Sequence, residues 1–181
     1  WLLVRKYKIS KLHYLGGILD ILLKLENNKY DKKHNIRLGF GAGARSDVVT
    51  KFKKRFNIKL REVYGMTEAS SFTTINFNLK KNSIGKSLPW FNVKIKKINN
   101  KSKVGQIIIK EKISGLLTKG YYNDKKATKE LLKRDGLYTG DVAKQDKKGN
   151  FFYIGRIKDS IRVKGENISA WEIETTLNKK D

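Results

Sequence analysis

The 181-residue sequence contains no cysteine, and none of its apolar runs approaches the roughly 20 residues that a membrane-spanning helix needs. Without cysteine the chain has neither a disulfide framework nor a thiolate metal site. Its length allows one domain with a sizeable core, or one domain and the start of another. We therefore expect a soluble, cytoplasmic protein without a transmembrane segment. The chain begins at Trp1 and ends at Asp181 where a helical pattern starts, so we interpret it as a fragment of a longer protein.

Acidic residues are scarce: 17 Asp and Glu stand against 41 Lys and Arg, a formal net charge of +24. Such a charge can indicate nucleic-acid binding. Here, however, lysine outnumbers arginine and is spread over nearly every segment, whereas binding surfaces cluster their charge and favour arginine for phosphate contacts. The composition favours solvated surface lysines, and we expect no specific nucleic-acid partner. A non-catalytic basic protein that binds nucleotides or nucleic acids remains an alternative.

Residues 1–83 alternate between helix and strand patterns. Apolar spacing predicts a helix over residues 12–25. A short apolar strand at residues 36–40 precedes a helix for which Ser46 is the expected N-cap, and a second strand follows at residues 59–64. These elements predict a β-α-β unit of a parallel sheet and place the chain in the α/β class, α+β overall.

From residue 84 the pattern changes to short strands separated by turns. We predict strands at residues 93–98, 106–110, 136–142 and 151–154, and a short helix at residues 128–133. Residues 84–157 should therefore form a small antiparallel, β-barrel-like subdomain. Residues 158–181 would start a small α+β C-terminal domain, with a strand at residues 161–163 and a helix from near Ala170.

Three motifs follow one another along the chain. They are Tyr64-Gly65-Met66-Thr67-Glu68, Tyr138-Thr139-Gly140-Asp141 and Gly155-Arg156-Ile157-Lys158-Asp159. Each is weak alone. Together they supply an aromatic face, a hydroxyl group, the carboxylates of Glu68 and Asp141, a guanidinium and a lysine, which are the groups needed to hold a nucleotide and a divalent cation.

In this order the motifs resemble the adenylate-forming (AMP-binding) superfamily, which contains acyl- and aryl-CoA synthetases, luciferases and peptide-synthetase adenylation domains. The resemblance covers nearly the whole chain. It extends to Gly120-Tyr121-Tyr122-Asn123-Asp124, Asp135-Gly136, Gly165-Glu166-Asn167-Ile168 and Glu172-Ile173-Glu174. It implies that a carboxylic acid attacks the α-phosphate of ATP to give an acyl-adenylate and pyrophosphate, and that coenzyme A then displaces AMP.

The resemblance assigns roles to individual residues. It implies that Tyr64 forms a wall for adenine, that Thr67 contacts the α-phosphate and that Glu68 binds Mg²⁺, a hard cation suited to a carboxylate. It implies that Asp141 accepts hydrogen bonds from the ribose hydroxyls and that Arg156 contacts the same ribose from the neighbouring strand. From the residues alone, Glu68 could equally be a charge at a helix N-terminus, and Asp141 a turn cap. The same resemblance adds to the ATP/AMP site Gly43, Ala44, Gly65 and Met66.

The end of the chain resembles the part of the family that moves between the two half-reactions. Lys158 matches the hinge position, although a solvated loop lysine fits the residue pattern as well. Arg162 and Asn167 match positions near the AMP phosphate. Lys164 and Gly165 match a loop that lines the coenzyme A tunnel.

Two family motifs are absent from this sequence: the Ser/Thr/Gly-rich phosphate loop with its lysine, and the adenylation lysine near the C-terminus. We therefore expect the fragment alone to be inactive. The function indicated for the whole protein is an ATP-dependent acyl-CoA synthetase that uses ATP, Mg²⁺, coenzyme A and a carboxylic acid substrate. An adenylation module that loads a carrier protein is the alternative. No motif specifies the acid or an oligomeric state.

Overall fold

The computed structural model describes residues 1–97, 104–163, 166–169 and 177. The chain divides into two compact units, Trp1–Tyr64 with Ile75–Gly85, and Gly65–Thr74 with Lys86–Asp181. Among the described residues, no helix has the length and apolar character needed to cross a bilayer.

The elements in chain order are α1 (Leu2–Lys6), β1 (Lys11–Leu15), α2 (Gly16–Lys24), β2 (Leu38–Ala42), α3 (Ser46–Phe56), β3 (Leu60–Met66), a 3₁₀ turn (Thr67–Ala69), β4 (Ser71–Ile75), β5 (Lys86–Ser87), β6 (Phe91–Lys97), β7 (Val104–Glu111), α4 (Lys125–Leu131), β8 (Leu132–Lys133), β9 (Gly136–Gln145), β10 (Phe151–Arg156), β11 (Ser160–Val163) and β12 (Glu166–Ser169).

The first unit is built on parallel strands. Strand β1 pairs with β2 from Lys11–Leu38 to Leu15–Ala42, and β2 pairs with β3 beginning at Gly39–Leu60. Helix α3 connects β2 to β3, so the predicted parallel β-α-β unit is confirmed. Its buried side chains form one apolar cluster: Tyr14, Leu19, Ile36, Val48, Phe52, Phe56, Ile58 and Leu60.

Helix α3 shows why this sequence becomes helical. Val48, Phe52 and Phe56 recur every four residues and are all buried, as expected for one face of a helix. Asp47 lies in the first turn, and the last turn is basic, which suits the helix dipole. Asn57 then adopts a left-handed conformation, with φ +57°, and ends the helix.

The helix predicted over residues 12–25 is wrong in its first part. Residues Lys11–Leu15 form strand β1, and the helix begins only at Gly16. Strand pairing with β2 decides the conformation, since it places Tyr14 in the core with 1% of its surface exposed. Leu12 and Tyr14 alternate with exposed residues, a period-2 signal that the leucine spacing obscured.

Two further predictions need correction. Ser46 is the first helical residue rather than the N-cap, which is Arg45 in an extended conformation without a side-chain cap bond. The short helix lies at Lys125–Leu131, because Asp124 accepts a hydrogen bond from the Ala127 amide at 2.8 Å and starts it earlier. Residues 132–133 are not helical but pair with β9 as β8.

The second unit is dominated by an antiparallel sheet in the order β10-β9-β7-β6, with β8 added beside β9. Its buried apolar residues include Ile107, Ile109, Leu137, Ala143 and Phe151. This curled half-barrel confirms the predicted antiparallel, barrel-like subdomain.

The last described strands form a separate antiparallel pair. The predicted strand at residues 161–163 is confirmed as β11, which pairs with β12. The helix predicted from near Ala170 lies outside the described residues.

Candidate functional site

Asp141 and Arg156 form an ion pair across two adjacent antiparallel strands. The two residues are direct partners in the β9–β10 register, and Arg156 Nε donates to Asp141 Oδ1 at 2.9 Å. The Asp141 side chain is 5% exposed, whereas that of Arg156 is 61% exposed. The nearby Asp141 carboxylate raises the pKa of Arg156. The expected approach of these two side chains from neighbouring strands is therefore observed.

Local backbone geometry creates this pairing. The register of β9 and β10 shifts between Tyr153 and Gly155, so Ile154 is the extra residue of a bulge, a feature that re-aims side chains. The predicted strand over residues 136–142 would place Asp141 near its end, but β9 continues to Gln145, and it is β10 that ends beside Asp141, at Arg156.

Residues next to Asp141 fix its backbone. The Thr139 hydroxyl donates to the Ile107 carbonyl at 2.9 Å and accepts from the Asp141 amide at 3.0 Å. Gly140 has φ +74°, a conformation that favours glycine, and its carbonyl accepts from the Ile157 amide at 2.8 Å. The Thr-Gly-Asp order thus has a structural reason in addition to any chemical one.

Tyr153 is a further titratable group beside the pair, and the sequence motifs did not identify it. Burial raises the pKa of its hydroxyl, and the negative charge of Asp141 raises it further. No sequence signal identified it, because residues three apart in a regular strand face opposite sides of the sheet and only the bulge at Ile154 changes this.

Glu68 lies in the 3₁₀ turn and has a specific partner. Its Oε1 accepts a hydrogen bond from the Tyr121 hydroxyl at 2.6 Å, and its backbone carbonyl accepts from the Thr118 amide at 2.8 Å. The hydrogen bond to Glu68 raises the pKa of Tyr121. Glu68 is therefore not a charge at the start of a long helix, because the turn contains only three residues. Tyr121 belongs to a motif noted in the sequence, but its contact with Glu68 was not foreseen.

Gly65 lies within β3, which continues to Met66, and a close backbone approach requires glycine there. A Cβ atom on Gly65 would lie 1.6 Å from the Ser71 carbonyl oxygen, so only glycine allows this backbone approach. The turn follows at Ser70 and Ser71, which have φ values of +55° and +109°. Thr67 is exposed at the start of the 3₁₀ turn.

A second carboxylate, Glu62, was missed by the sequence analysis. On β3 of the first unit, its Oε1 accepts from the Gly43 amide at 2.6 Å, and its Oε2 accepts from the Tyr14 hydroxyl at 3.0 Å. Burial raises the pKa of Glu62, although the amides of Gly43 and Ala44 and the Tyr14 hydroxyl act in the opposite direction. Burial and Glu62 together raise the pKa of Tyr14. Tyr64, on the same strand, is 8% exposed.

The remaining predicted site residues follow β10 in the chain. Lys158 is exposed in the turn between β10 and β11. Arg162 and Asn167 are register partners in β11 and β12. Lys164 and Gly165 lie outside the described residues. Within the described part of the chain, no group of three or more His, Cys, Asp or Glu residues is placed to hold a metal.

Comparison with known proteins identifies the family. The sequence model described as AMP-binding enzyme matches residues 1–122. The chain belongs to the AMP-binding enzyme family. This AMP-binding chain is 31% identical over 185 residues to the luciferin 4-monooxygenase of Nipponoluciola cruciata, a match that covers 96% of this chain and 33% of that protein. It is also 31% identical to the 2-succinylbenzoate–CoA ligase of Oceanobacillus iheyensis, with 96% of this chain and 39% of that protein covered. The chain therefore spans about a third to two fifths of the length of these relatives.

Solved structures share the fold of the AMP-binding chain. Unliganded O-succinylbenzoate coenzyme A synthetase from Bacillus subtilis superposes with a TM-score of 0.82 at 24% identity, covering 98% of this chain and 40% of that one. The same enzyme in complex with ATP and magnesium ion gives a TM-score of 0.81, covering 97% and 38%. At this identity the similarity establishes the fold alone.

Proposed function

We propose that the protein carrying this chain is an ATP-dependent acyl-CoA synthetase. A carboxylate oxygen of the substrate would attack the α-phosphorus of ATP and release pyrophosphate, and the thiol of coenzyme A would then displace AMP from the acyl-adenylate. The observation that carries the proposal is the Asp141–Arg156 pair on adjacent strands. The names of two relatives, 2-succinylbenzoate–CoA ligase and crotonobetaine/carnitine–CoA ligase, support the choice of coenzyme A as acceptor.

The geometry of the pair suits a ribose. Arg156 engages Asp141 through one nitrogen, Nε, and we assign the Asp141 carboxylate to the ribose hydroxyls. Hydrogen bonds to a carboxylate are stronger than those between neutral groups, and the burial of Asp141 reduces screening by solvent. We assign the exposed Arg156 guanidinium to the same sugar. We assign Tyr64, Gly43 and Ala44 to adenine, and Gly65, Met66 and Thr67 to the AMP moiety and α-phosphate.

Glu68 suits Mg²⁺ by its chemistry. The ion prefers octahedral oxygen coordination, and in nucleotide sites it commonly takes one or two carboxylates together with phosphate oxygens and water. The Glu68 carboxylate matches this mode of coordination. The ion would neutralise phosphate charge when ATP is bound. Tyr121 would hold Oε1 of Glu68, leaving Oε2 as the oxygen that we assign to the ion.

Replacing Tyr121 by phenylalanine should weaken divalent-cation binding by about ten-fold, because loss of a group that orients a metal ligand typically weakens affinity 10- to 100-fold. The measurement is titration of Mn²⁺ into the ATP complex, followed by electron paramagnetic resonance. Tyr122→Phe is the matched control, since Tyr122 is 93% exposed. Equal cation affinity in the two variants would exclude the positioning role of Tyr121.

Lys158 is proposed as a hinge between adenylation and thioester formation, where a few residues absorb a change in backbone angles. Lys158→Pro should slow thioester formation more than adenylation, because proline fixes φ. Single-turnover assays of the two half-reactions measure this. Lys147→Pro is the control: Gly149 N–H donates to the Asp146 carbonyl at 3.0 Å, so Lys147 holds the second position of a turn, which tolerates proline. Equal losses in both half-reactions would exclude the hinge.

The remaining assignments concern the second half-reaction. We assign Arg162 and Asn167 to the AMP phosphate, and Lys164 and Gly165 to the pantetheine arm of coenzyme A. These assignments rest on the family resemblance alone.

The function is tested by ATP–pyrophosphate exchange with the full-length protein and a panel of carboxylic acids, followed by addition of coenzyme A. We expect exchange that depends on one class of acid, and thioester formation with coenzyme A. Exchange followed by transfer only to a carrier protein would favour the adenylation-module alternative. Absence of exchange with every acid would contradict the proposal.

A further inference from the structure

The carboxylate of Glu62 holds a chain segment that has almost no side chains of its own. The segment Gly41–Ala44 contains two glycines and two alanines, and it includes the end of β2 and the residues after it. Gly43 has φ +79°. A Cβ atom on Gly41 would lie 1.9 Å from the Tyr14 carbonyl oxygen. With at most a methyl group at each position, the conformation of this segment depends on its backbone hydrogen bonds.

Three donors converge on Glu62. The Gly43 amide donates to Oε1 at 2.6 Å, a short distance that is typical of a hydrogen bond to a charged acceptor. The Ala44 amide interacts with the same carboxylate. The Tyr14 hydroxyl donates to Oε2 at 3.0 Å and so holds the Glu62 side chain in place from strand β1.

This arrangement determines which part of a ligand the segment can contact. Successive backbone amides that point in one direction normally form an anion-binding site, but here the amides of Gly43 and Ala44 are directed at a carboxylate of the protein itself. A phosphate at the same point would be repelled by Glu62. The segment is therefore suited to an uncharged part of a ligand.

We infer that Glu62 is a positioning residue that fixes the Gly43–Ala44 segment for contact with the uncharged adenine base of ATP. The inference rests on the proposed function, which assigns that segment to the nucleotide. Because Glu62 acts through the segment and not on the reacting atoms, its loss should raise the KM for ATP and leave kcat nearly unchanged.

The test compares Glu62→Ala with Glu62→Gln by steady-state ATP–pyrophosphate exchange of the full-length protein. Glu62→Ala removes the acceptor of the Gly43 amide, and we expect the KM for ATP to rise about ten-fold, in line with a hydrogen bond to a charged group, while kcat changes less than about two-fold. Glu62→Gln should stay within about three-fold of the wild-type KM. Its amide oxygen can still accept from Gly43, and the Tyr14 hydroxyl can donate to the Arg61 carbonyl, which lies 3.3 Å away.

Asp146→Ala is the matched control. Asp146 also uses its carboxylate to hold backbone amides, those of Lys148 and Asn150 at 2.9 Å, but in a turn that we assign no role in binding. The KM of the Asp146→Ala variant for ATP should equal that of the wild type. Amide hydrogen exchange of a peptide covering residues 41–44 should be faster in Glu62→Ala than in Glu62→Gln, and this measurement needs no nucleotide.

The outcomes separate the inference from the proposed function. An unchanged KM in Glu62→Ala, together with a raised KM in Asp141→Ala, would overturn the inference and leave the proposed function intact. An equal rise in KM for Glu62→Gln and Glu62→Ala would also overturn it, because rescue by an isosteric acceptor would be absent. If Glu62→Ala does not fold, Tyr14→Phe takes its place, because the Tyr14 hydroxyl holds the Glu62 side chain. A raised KM for ATP together with faster hydrogen exchange at residues 41–44 in Tyr14→Phe would then support the inference, and an unchanged KM would overturn it. A wild-type protein without exchange activity would overturn both.

Discussion

Replacing Asp141 by alanine is expected to weaken ATP and AMP binding by about 100-fold in the full-length protein. Hydrogen bonds to charged groups contribute about 1.5–3 kcal/mol each, and the loss of one or two such bonds to ribose hydroxyls accounts for a change of this size. The variant also removes the partner of the Arg156 guanidinium, which lies 2.9 Å from Asp141. Isothermal titration calorimetry with each nucleotide measures the effect.

The matched control is Asp135→Ala. Asp135 is an exposed aspartate close to the same strand, and it accepts a hydrogen bond from the Tyr138 hydroxyl at 2.7 Å. Its replacement should leave nucleotide affinity unchanged, which separates a specific loss from a general loss of negative charge.

Titration with 2′-deoxy-ATP completes the test as a double-mutant cycle. Wild-type protein should bind the deoxynucleotide more weakly than ATP, and Asp141→Ala should bind the two alike. If Asp141→Ala keeps wild-type affinity for ATP, or if it still binds 2′-deoxy-ATP more weakly than ATP, Asp141 does not contact the ribose.

Replacing Arg55 by alanine is expected to lower the free energy of unfolding by about 3 kcal/mol, the lower part of the range for breaking a buried ion pair. Arg55 Nε donates to Asp31 Oδ2 at 2.8 Å, and the side chains are only 14% and 9% exposed. Its other nitrogens donate to the carbonyls of Leu23, Leu25 and Glu26 at 2.7 to 2.9 Å. The change therefore leaves a buried carboxylate and several carbonyls without their donor.

Urea unfolding, with hydrogen exchange in α3 as a local readout, measures this loss. Lys54→Ala, at an exposed position of the same helix, should change stability by less than about 0.5 kcal/mol. Burial acts to raise the pKa of Asp31, but the hydrogen bond from Arg55, the hydrogen bond from the Asn28 amide and the charge of Arg55 together lower the pKa. The contribution is thus complete above the unfolded-state pKa of about 4 and is lost as pH falls through the lower folded-state pKa. Equal stability of the Arg55 and Lys54 variants would contradict the account.

Local patterns predicted much of the fold, and the errors have physical causes. Helix α3 was predictable because Val48, Phe52 and Phe56 follow the helical period and no competing pattern overlaps them. Strand β1 was mistaken for helix because its leucines continue the spacing of α2, and only pairing with β2 reveals the alternation around Tyr14. In such cases tertiary contacts override local preference.

The candidate site was predictable where its groups belong to short motifs. The family resemblance carried by those motifs implied that Asp141 and Arg156 would be close, and they are in contact. The bulge that places Arg156 opposite Asp141 leaves no comparable sequence signal. Glu62 and Tyr121 were not identified as contributors because their significance depends on contacts with residues 19 and 53 positions away.

The most direct test of the central claim is a crystal structure of the full-length protein with AMP bound. We expect a ribose hydroxyl within hydrogen-bonding distance of the Asp141 carboxylate, about 2.7 Å between oxygens, with the Arg156 guanidinium beside the same sugar. AMP bound with its ribose away from both side chains would contradict the account.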